Sequence, residues 1–168
     1  MGKTEVNCRQ IFARARQRIA AGGQARDSAP PPARRAEGGE LARRFFEATA
    51  GGDMDALLGM LAPDVVLHGD GGGKAQVIGK PLAGREGVMR FLVGLLRRAR
   101  ALGASLRLAW VNGQPGAVLY DAERRVVSVI ELDVADGVVQ TIRAVVNPDK
   151  LGHIGPVPDV ARLPEGHH

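Results

Sequence analysis

The sequence predicts an α+β domain in which three helices pack on a curved antiparallel sheet, preceded by an isolated N-terminal helix. Three observations lead to this prediction. Apolar residues recur at helical spacing between residues 41 and 101, and four strand-like stretches separated by turn residues follow between 105 and 146. Between the first helix and this domain, the chain is rich in Gly and Pro and poor in apolar residues. Helices followed by hairpins predict a sheet that wraps around the longest helix.

The N-terminal helix is predicted over residues 1–20. Thr4 can cap its first turn, and no Gly or Pro follows until Gly22. Its apolar stripe is narrow, and the rest of its surface is rich in arginine. The first 35 residues hold eight Lys/Arg against two Asp/Glu, so this end accounts for the net charge of +5. Such a basic arm is typical of segments that bind an acidic partner such as nucleic acid, whereas the remainder is nearly neutral.

The Gly- and Pro-rich stretch divides this arm from the rest of the chain. We predict a flexible linker over residues 21–38, a folded domain over 39–155 and a C-terminal tail over 156–168. A domain of this length can bury one hydrophobic core.

The predicted domain begins with two short helices. Leu41, Phe45 and Ala48 share one helical face, and Asp53 is a plausible cap for a second helix that ends before Pro63. Residues 65–68 form the first strand candidate.

A third helix is predicted over residues 84–101, after a glycine-rich loop and an edge segment at 76–78. The four strands that follow should form an antiparallel meander, since each pair is separated by residues typical of turns. These strands are predicted at 105–111, 117–120, 125–134 and 138–146.

Composition restricts the class of protein. Cys8 is the single cysteine, the N-terminus has no apolar signal region, and no apolar run is long enough to cross a bilayer, so we expect a soluble cytoplasmic protein. Aromatic residues make up only 4% of the chain, which disfavours a wide aromatic-lined site. The four histidines have no metal-ligand spacing, and we expect neither a metal nor a cofactor.

Three motifs together resemble those of a known family. They are Asp70-Gly71-Gly72-Gly73-Lys74, Asn147-Pro148-Asp149-Lys150-Leu151, and the arm with Thr4-Glu5, Cys8-Arg9-Gln10 and Arg14-Ala15-Arg16. This combination resembles extracytoplasmic-function RNA polymerase sigma factors that carry a C-terminal SnoaL-like domain. The resemblance implies the SnoaL-like, ketosteroid-isomerase-like cone for the domain and the last helix of a promoter-reading helix-turn-helix for the arm.

The resemblance also implies roles for individual residues. In such factors this helix enters the major groove, with residues near its start reaching bases and arginines reaching phosphates. The implied DNA-binding residues are Lys3, Glu5, Asn7, Arg9, Gln10, Arg14, Arg16 and Arg18. The implied regulatory contact residues are Asp70, Gly71, Gly72, Gly73, Lys74, Asn147, Pro148, Asp149, Lys150 and Leu151.

Each motif also has a purely structural interpretation. The arm can be a solvated amphipathic helix, the three glycines can form a simple turn, and Asn147-Pro148 can simply end the last strand. The glycine spacing does not match a phosphate-binding P-loop.

An enzyme or a small-molecule-binding protein remains the alternative. His68, Trp110 and Arg143 could line a pocket in the cone and orient a ligand. Acid–base candidates such as Asp70, Glu131 and Asp133 do not converge without a known hairpin register, so catalysis is not the expected function.

We therefore expect the C-terminal part of a sigma factor whose SnoaL-like domain modulates transcription initiation. RNA polymerase core and promoter DNA are the expected partners in the full-length protein, with a small-molecule ligand and a homodimer as further possibilities. This chain contains no polymerase-binding domain and only one helix of the helix-turn-helix, so it should not initiate transcription alone.

Overall fold

The computed structural model of the protein describes residues 32–73 and 80–158. The predicted arm with its eight DNA-binding residues, Lys74 and the edge segment at 76–78 lie outside the described residues. The elements are α1 (Pro32–Gly51), α2 (Met54–Met60), β1 (Leu61–Asp70), β2 (Leu82–Ala83), α3 (Arg85–Ala101), β3 (Ser105–Val111), β4 (Gln114–Tyr120), β5 (Val126–Ala135), β6 (Val138–Val145) and α4 (Pro148–Leu151).

The first helix of the domain begins earlier than the sequence predicted. α1 starts at Pro32, so residues 32–38 of the predicted linker are helical. Proline is well suited to a first helical position, and Ala and Arg after it favour the helix. Gly38 and Gly39 are accommodated within this helix, where an added Cβ would lie 3.6 Å from Pro115 and 3.7 Å from Trp110, respectively.

The second helix follows the prediction at its start but not at its end. The side chain of Asp53 caps α2 by accepting a hydrogen bond from the N–H of Ala56 at 3.0 Å. α2 ends at Met60 and β1 begins at Leu61, so Pro63 lies inside a strand and does not terminate the helix.

The sheet has six strands in the order β2-β1-β6-β5-β4-β3. The prediction of an antiparallel sheet is wrong in one respect, because β1 pairs with β6 in parallel and the sheet is mixed. α3 carries the chain from the β1 side of the sheet to its far edge, and the meander β3 to β6 then returns to β1. This pairing joins strands about 75 residues apart, which local sequence patterns do not encode.

Tight turns fix the register of the meander. Asn112-Gly113 joins β3 to β4 with φ of 51° and 79°, and Asp136-Gly137 joins β5 to β6 with φ of 55° and 73°. Positive φ at both central residues is the type I′ geometry that suits twisted hairpins. β4 therefore begins at Gln114, three residues before the predicted start.

The hydrophobic core lies between the helices and one face of the sheet. Its largest fully buried side chains come from every layer: Phe45, Leu57, Leu61, Leu67, Leu132 and Ile142. A second cluster on the opposite face contains Val118, Val126, Val129 and Leu151.

The segment after α4 packs on the second cluster. Val157 contacts this cluster, and the N–H of Val126 donates to the carbonyl of Pro156 at 2.7 Å. The packing of the described residues thus continues beyond residue 155, where the sequence placed the end of the domain. None of the helices in the described ranges is long and apolar enough to span a membrane.

Candidate functional site

The two motifs singled out in the sequence meet at one corner of the sheet. Because β1 and β6 are parallel neighbours, their C-terminal ends lie side by side, with Asp70 paired to Val145. The N–H of Val146 donates to the main-chain carbonyl of Asp70 at 2.9 Å. The glycine loop after β1 and the α4 segment after β6 therefore leave the sheet together. We call Asp70 to Gly73 with Asn147 to Leu151 the loop–α4 junction.

The carboxylate of Asp70 links the two halves of the junction. Its Oδ1 accepts the N–H of Gly72 at 3.0 Å, and its Oδ2 accepts Nζ of Lys150 at 2.6 Å. The hydrogen bond from Lys150, followed by those from Gly72 and Asn147, lowers the pKa of Asp70 despite the partial burial that raises it. The loop carboxylate is thus paired with a lysine of the second motif, 80 residues away.

Asn147 holds α4 in place from a nearly buried position. Its side chain is the N-cap of α4 and accepts the N–H of Asp149 at 3.1 Å. Gly72 packs directly against its carboxamide, and φ of +61° at Gly72 is a conformation that favours glycine. A Cβ at Gly72 would overlap the Asn147 side chain.

The junction divides into an anchored part and an exposed part. Leu151 is 2% exposed and packs in the second cluster, and Asn147 is 7% exposed. Gly72, Asp149 and Lys150 are exposed. The arrangement presents charged groups of both signs on a backbone that Leu151 and Asn147 hold in place.

The pKa of Asp70 should show whether this carboxylate is paired with Lys150 across the loop–α4 junction. We expect NMR titration to give a pKa for Asp70 below the ordinary aspartate value of about 3.9, and Lys150→Met to raise it towards that value. Because the pKa of Asp70 is lowered in the folded state, its pairing with Lys150 stabilises the domain at pH values above the pKa of Asp70 in the unfolded chain. This stabilisation is lost as the pH falls through the pKa of Asp70 in the folded state. Lys80→Met, at an exposed lysine outside the junction, is the matched control. An unchanged pKa in Lys150→Met would contradict the pairing.

A cavity of about 180 Å³ lies between α1, α3 and the inner face of the sheet. Its described walls are apolar apart from Thr49 and Arg100. The Thr49 hydroxyl donates to the carbonyl of Phe45 at 2.8 Å, and an Arg100 guanidinium N–H donates to the carbonyl of Ala50 at 3.5 Å. The described lining residues include no carboxylate or imidazole, and their apolar character suits an apolar ligand.

The predicted pocket residues His68, Trp110 and Arg143 do not line this cavity. His68 and Arg143 are paired neighbours on β1 and β6, on the face of the sheet opposite the helices. Burial and then the charge of Arg143 lower the pKa of His68. Trp110 lies on the far strand β3, with the guanidinium of Arg35 4.7 Å from its ring centroid. Strand parity alone could not assign His68 and Arg143 to a face, because it does not say which face the helices cover.

The acidic candidates on the later strands are likewise separate from the cavity. Arg143 pairs with Glu131 on β5 at 2.7 Å, and Asn112 donates to the same carboxylate at 3.2 Å. This is a cross-strand ion pair on the outer face. Within the described ranges, no group of three or more His, Cys, Asp or Glu side chains is placed to hold a metal ion.

Comparison with known families decides the classification. A family model described as the SnoaL-like domain matches residues 42–147, which include the second half of α1, the helices α2 and α3 and all six strands of the sheet. The chain belongs to the SnoaL-like domain family. The fold predicted from the sequence is therefore confirmed, with the mixed sheet as its correction.

The similarity extends beyond the SnoaL-like domain. The chain is 33% identical over 158 residues to the ECF RNA polymerase sigma factor SigJ of Mycobacterium tuberculosis (strain ATCC 25618 / H37Rv), covering 90% of this chain and 49% of SigJ. The crystal structure of Mycobacterium tuberculosis SigJ matches with a TM-score of 0.59 and 31% identity, covering 89% of this chain and 51% of that one. The chain thus spans about half the length of the relative it matches.

Sequence reasoning missed one structural feature of the SnoaL-like domain. The side chain of Asp121, 5% exposed, accepts hydrogen bonds from the N–H groups of Glu123 at 3.0 Å and Arg125 at 2.8 Å, and from Nε of Arg125 at 2.8 Å. Burial raises its pKa, but these hydrogen bonds outweigh burial, and the net shift is downward. The sequence signal for this feature is an Asp followed by an Arg four residues later within a turn. The hydrogen bonds of Asp121 hold the β4–β5 turn and do not form part of the candidate site.

Proposed function

We propose that the chain is the C-terminal part of an RNA polymerase sigma factor and that its SnoaL-like domain modulates transcription initiation. One observation carries this proposal: the similarity to SigJ covers 90% of the chain, whereas the SnoaL-like match covers only residues 42–147. The similarity therefore includes sequence outside the fold that SnoaL-like enzymes and sigma factors share.

The basic arm supplies the DNA-binding part of the proposal. Its excess of positive charge suits phosphate neutralisation, and polar residues near its start suit base contacts in the major groove. The residues proposed for DNA contact remain those given by the family resemblance, from Lys3 to Arg18. RNA polymerase core and promoter DNA are the proposed partners, which implies a cytoplasmic location.

The loop–α4 junction is the proposed regulatory contact. Its exposed Asp149 and Lys150 and its half-buried Asp70 carry charges on a rigid base, since Leu151 is buried and Asn147 caps α4. A partner surface can therefore bind there without first ordering the loop, which keeps the entropic cost of association low. The contact requires the loop and α4 to remain joined, because each contributes one half of the charge pattern.

A hybrid sigma factor tests the assignment. The half of SigJ that this chain matches is replaced by residues 1–168, and run-off transcription is measured with core polymerase on a promoter that SigJ recognises. We expect initiation by the hybrid and a loss of at least about tenfold when Arg14, Arg16 and Arg18 are changed to Gln, because phosphate contacts dominate affinity.

The matched control carries the same loss of charge on the SnoaL-like domain. Arg90, Arg97 and Arg124 are exposed in the structure, and their change to Gln should leave initiation within about twofold. A hybrid that fails to initiate although its SnoaL-like domain is folded would overturn the sigma-factor assignment. Equal losses in the arm variant and the control would overturn the role of the arm.

A ligand-binding SnoaL-like protein is the second candidate, and the cavity between α1, α3 and the sheet favours it. A volume of about 180 Å³ with apolar walls is sufficient for a small apolar molecule of about the size of benzene. Binding is favoured over catalysis because the polar side chains of the described lining are Thr49 and Arg100, which together do not form an acid–base pair. Such a ligand is compatible with a sigma factor whose SnoaL-like domain senses a small molecule.

A further inference from the structure

Within the described residues, the strand β3 forms an open edge of the sheet. Among the described residues, no strand pairs with its outer side, and the opposite edge strand β2 has only two residues. Natural edge strands are commonly protected by shortness, proline, bulges or several charges. β3 has seven residues, an uninterrupted register with β4, no proline and Arg107 as its one charged residue. An edge of this kind is a template for another strand.

The backbone groups of β3 that have no partner among residues 32–73 and 80–158 belong to its apolar residues. Val111 and Gln114 flank a two-residue hairpin turn and are therefore a hydrogen-bonded pair. Hydrogen-bonded and non-hydrogen-bonded pairs alternate along an antiparallel ladder. The N–H and C=O groups of Leu106, Leu108 and Trp110 consequently point away from β4, towards the open edge.

The same three residues form an exposed apolar row. Leu106 is 36% exposed, Leu108 46% and Trp110 42%, although each is large and hydrophobic. Alternation along a strand places these side chains on one face of the sheet. An edge with free hydrogen-bonding groups and an adjacent apolar row fits an extended strand of the same character.

We propose that β3 pairs antiparallel with β3 of a second copy of this chain, centred on Leu108. In this register Leu108 lies opposite Leu108 of the second copy, and Leu106 lies opposite its Trp110. All three positions have outward-pointing backbone groups, so the strands can exchange hydrogen bonds at each. The pattern of β3 is therefore complementary to itself, as a two-fold interface requires.

The position of the one charged residue of β3, Arg107, is compatible with this register. Arg107 lies opposite Ala109 of the second copy, so the two arginines do not face each other. Like charges placed directly opposite would be destabilising.

A single strand pair buries less than the roughly 1,200 Å² typical of stable complexes, so the dimer is reversible and concentration-dependent. The pairing depends on β3 alone and not on the sigma-factor assignment.

Sedimentation of the 168-residue chain over a wide concentration range tests the pairing. We expect reversible dimerisation, which Leu108→Lys and Leu108→Glu each weaken by at least about tenfold because like charges then meet at the two-fold axis. An equimolar mixture of the two variants should recover association, since Lys then faces Glu. Leu58→Lys is the matched control, because Leu58 is 43% exposed on α2.

Fluorescence of Trp110, the one tryptophan of the chain, gives a second readout. Its emission should shift to shorter wavelength as the wild-type chain associates and stay fixed in folded Leu108→Lys. A wild-type chain that remains monomeric at all concentrations overturns the proposal and indicates that another segment or partner occupies the edge. Dimers that persist in both Leu108 variants place the interface elsewhere and also overturn it.

Discussion

Replacing Gly72 by alanine should destabilise the domain by about 2–4 kcal/mol, because a left-handed backbone is unfavourable for alanine and its Cβ overlaps a nearly buried side chain. Gly72 has φ of +61°, and the overlapping group is the carboxamide of Asn147. Asn147 cannot move aside freely, since it caps α4 through the N–H of Asp149. Urea unfolding of the 168-residue chain measures the change in the free energy of unfolding.

Gly73 provides the control for this prediction. It has φ of +72°, but an added Cβ would meet nothing within 4 Å. Gly73→Ala should therefore show only the backbone cost, about 1 kcal/mol. The difference between the two variants isolates the contact with Asn147. Equal destabilisation by both variants would show that the loop does not pack on α4.

Replacing Leu151 by alanine should destabilise the domain by about 2–4 kcal/mol, the range for a large-to-small change in a packed core. Leu151 is 2% exposed and packs with Val118, Val126 and Val129 on the outer face of the sheet. The loss should also loosen α4, so the pKa of Asp70 should rise as Lys150 becomes less well placed. Thermal unfolding and the NMR titration measure these two effects on the same variant.

Ile154→Ala is the control in the same segment. Ile154 is 41% exposed, and its truncation should change the free energy of unfolding by less than about 0.5 kcal/mol. If Leu151→Ala behaves like Ile154→Ala, the second motif is not anchored by the outer cluster. If Leu151→Ala is unstable while the pKa of Asp70 is unchanged, the anchor and the charge pair are independent.

Local signals predicted most of the elements correctly. β3 has the predicted bounds, α3 begins one residue after the predicted start, and Asp53 is the cap of α2. These features depend on residues close in sequence, such as caps, turns and apolar periodicity. The parallel pairing of β1 with β6 was not predicted, because it depends on the path of the whole chain.

The connection between the two motifs could not be predicted from the sequence. The family resemblance singled out both motifs, but their physical connection through Asp70 and Lys150 follows from the parallel register of β1 and β6. The sequence left open whether the Asn147 motif ends a strand or forms a contact. In the structure the motif follows the last strand, with Leu151 buried and Asp149 and Lys150 exposed, and a regulatory contact there stays a prediction.

Run-off transcription by the hybrid sigma factor with a broken junction tests the central claim most directly. Lys150→Met removes the pairing with Asp70 at an exposed position, so the domain should remain folded. We predict a change in initiation of about threefold or more in either direction relative to the unmodified hybrid, equivalent to a coupling of about 0.7 kcal/mol. Lys80→Met should leave initiation unchanged. Identical initiation by the unmodified hybrid, Lys150→Met and Lys80→Met would contradict a regulatory role for the loop–α4 junction.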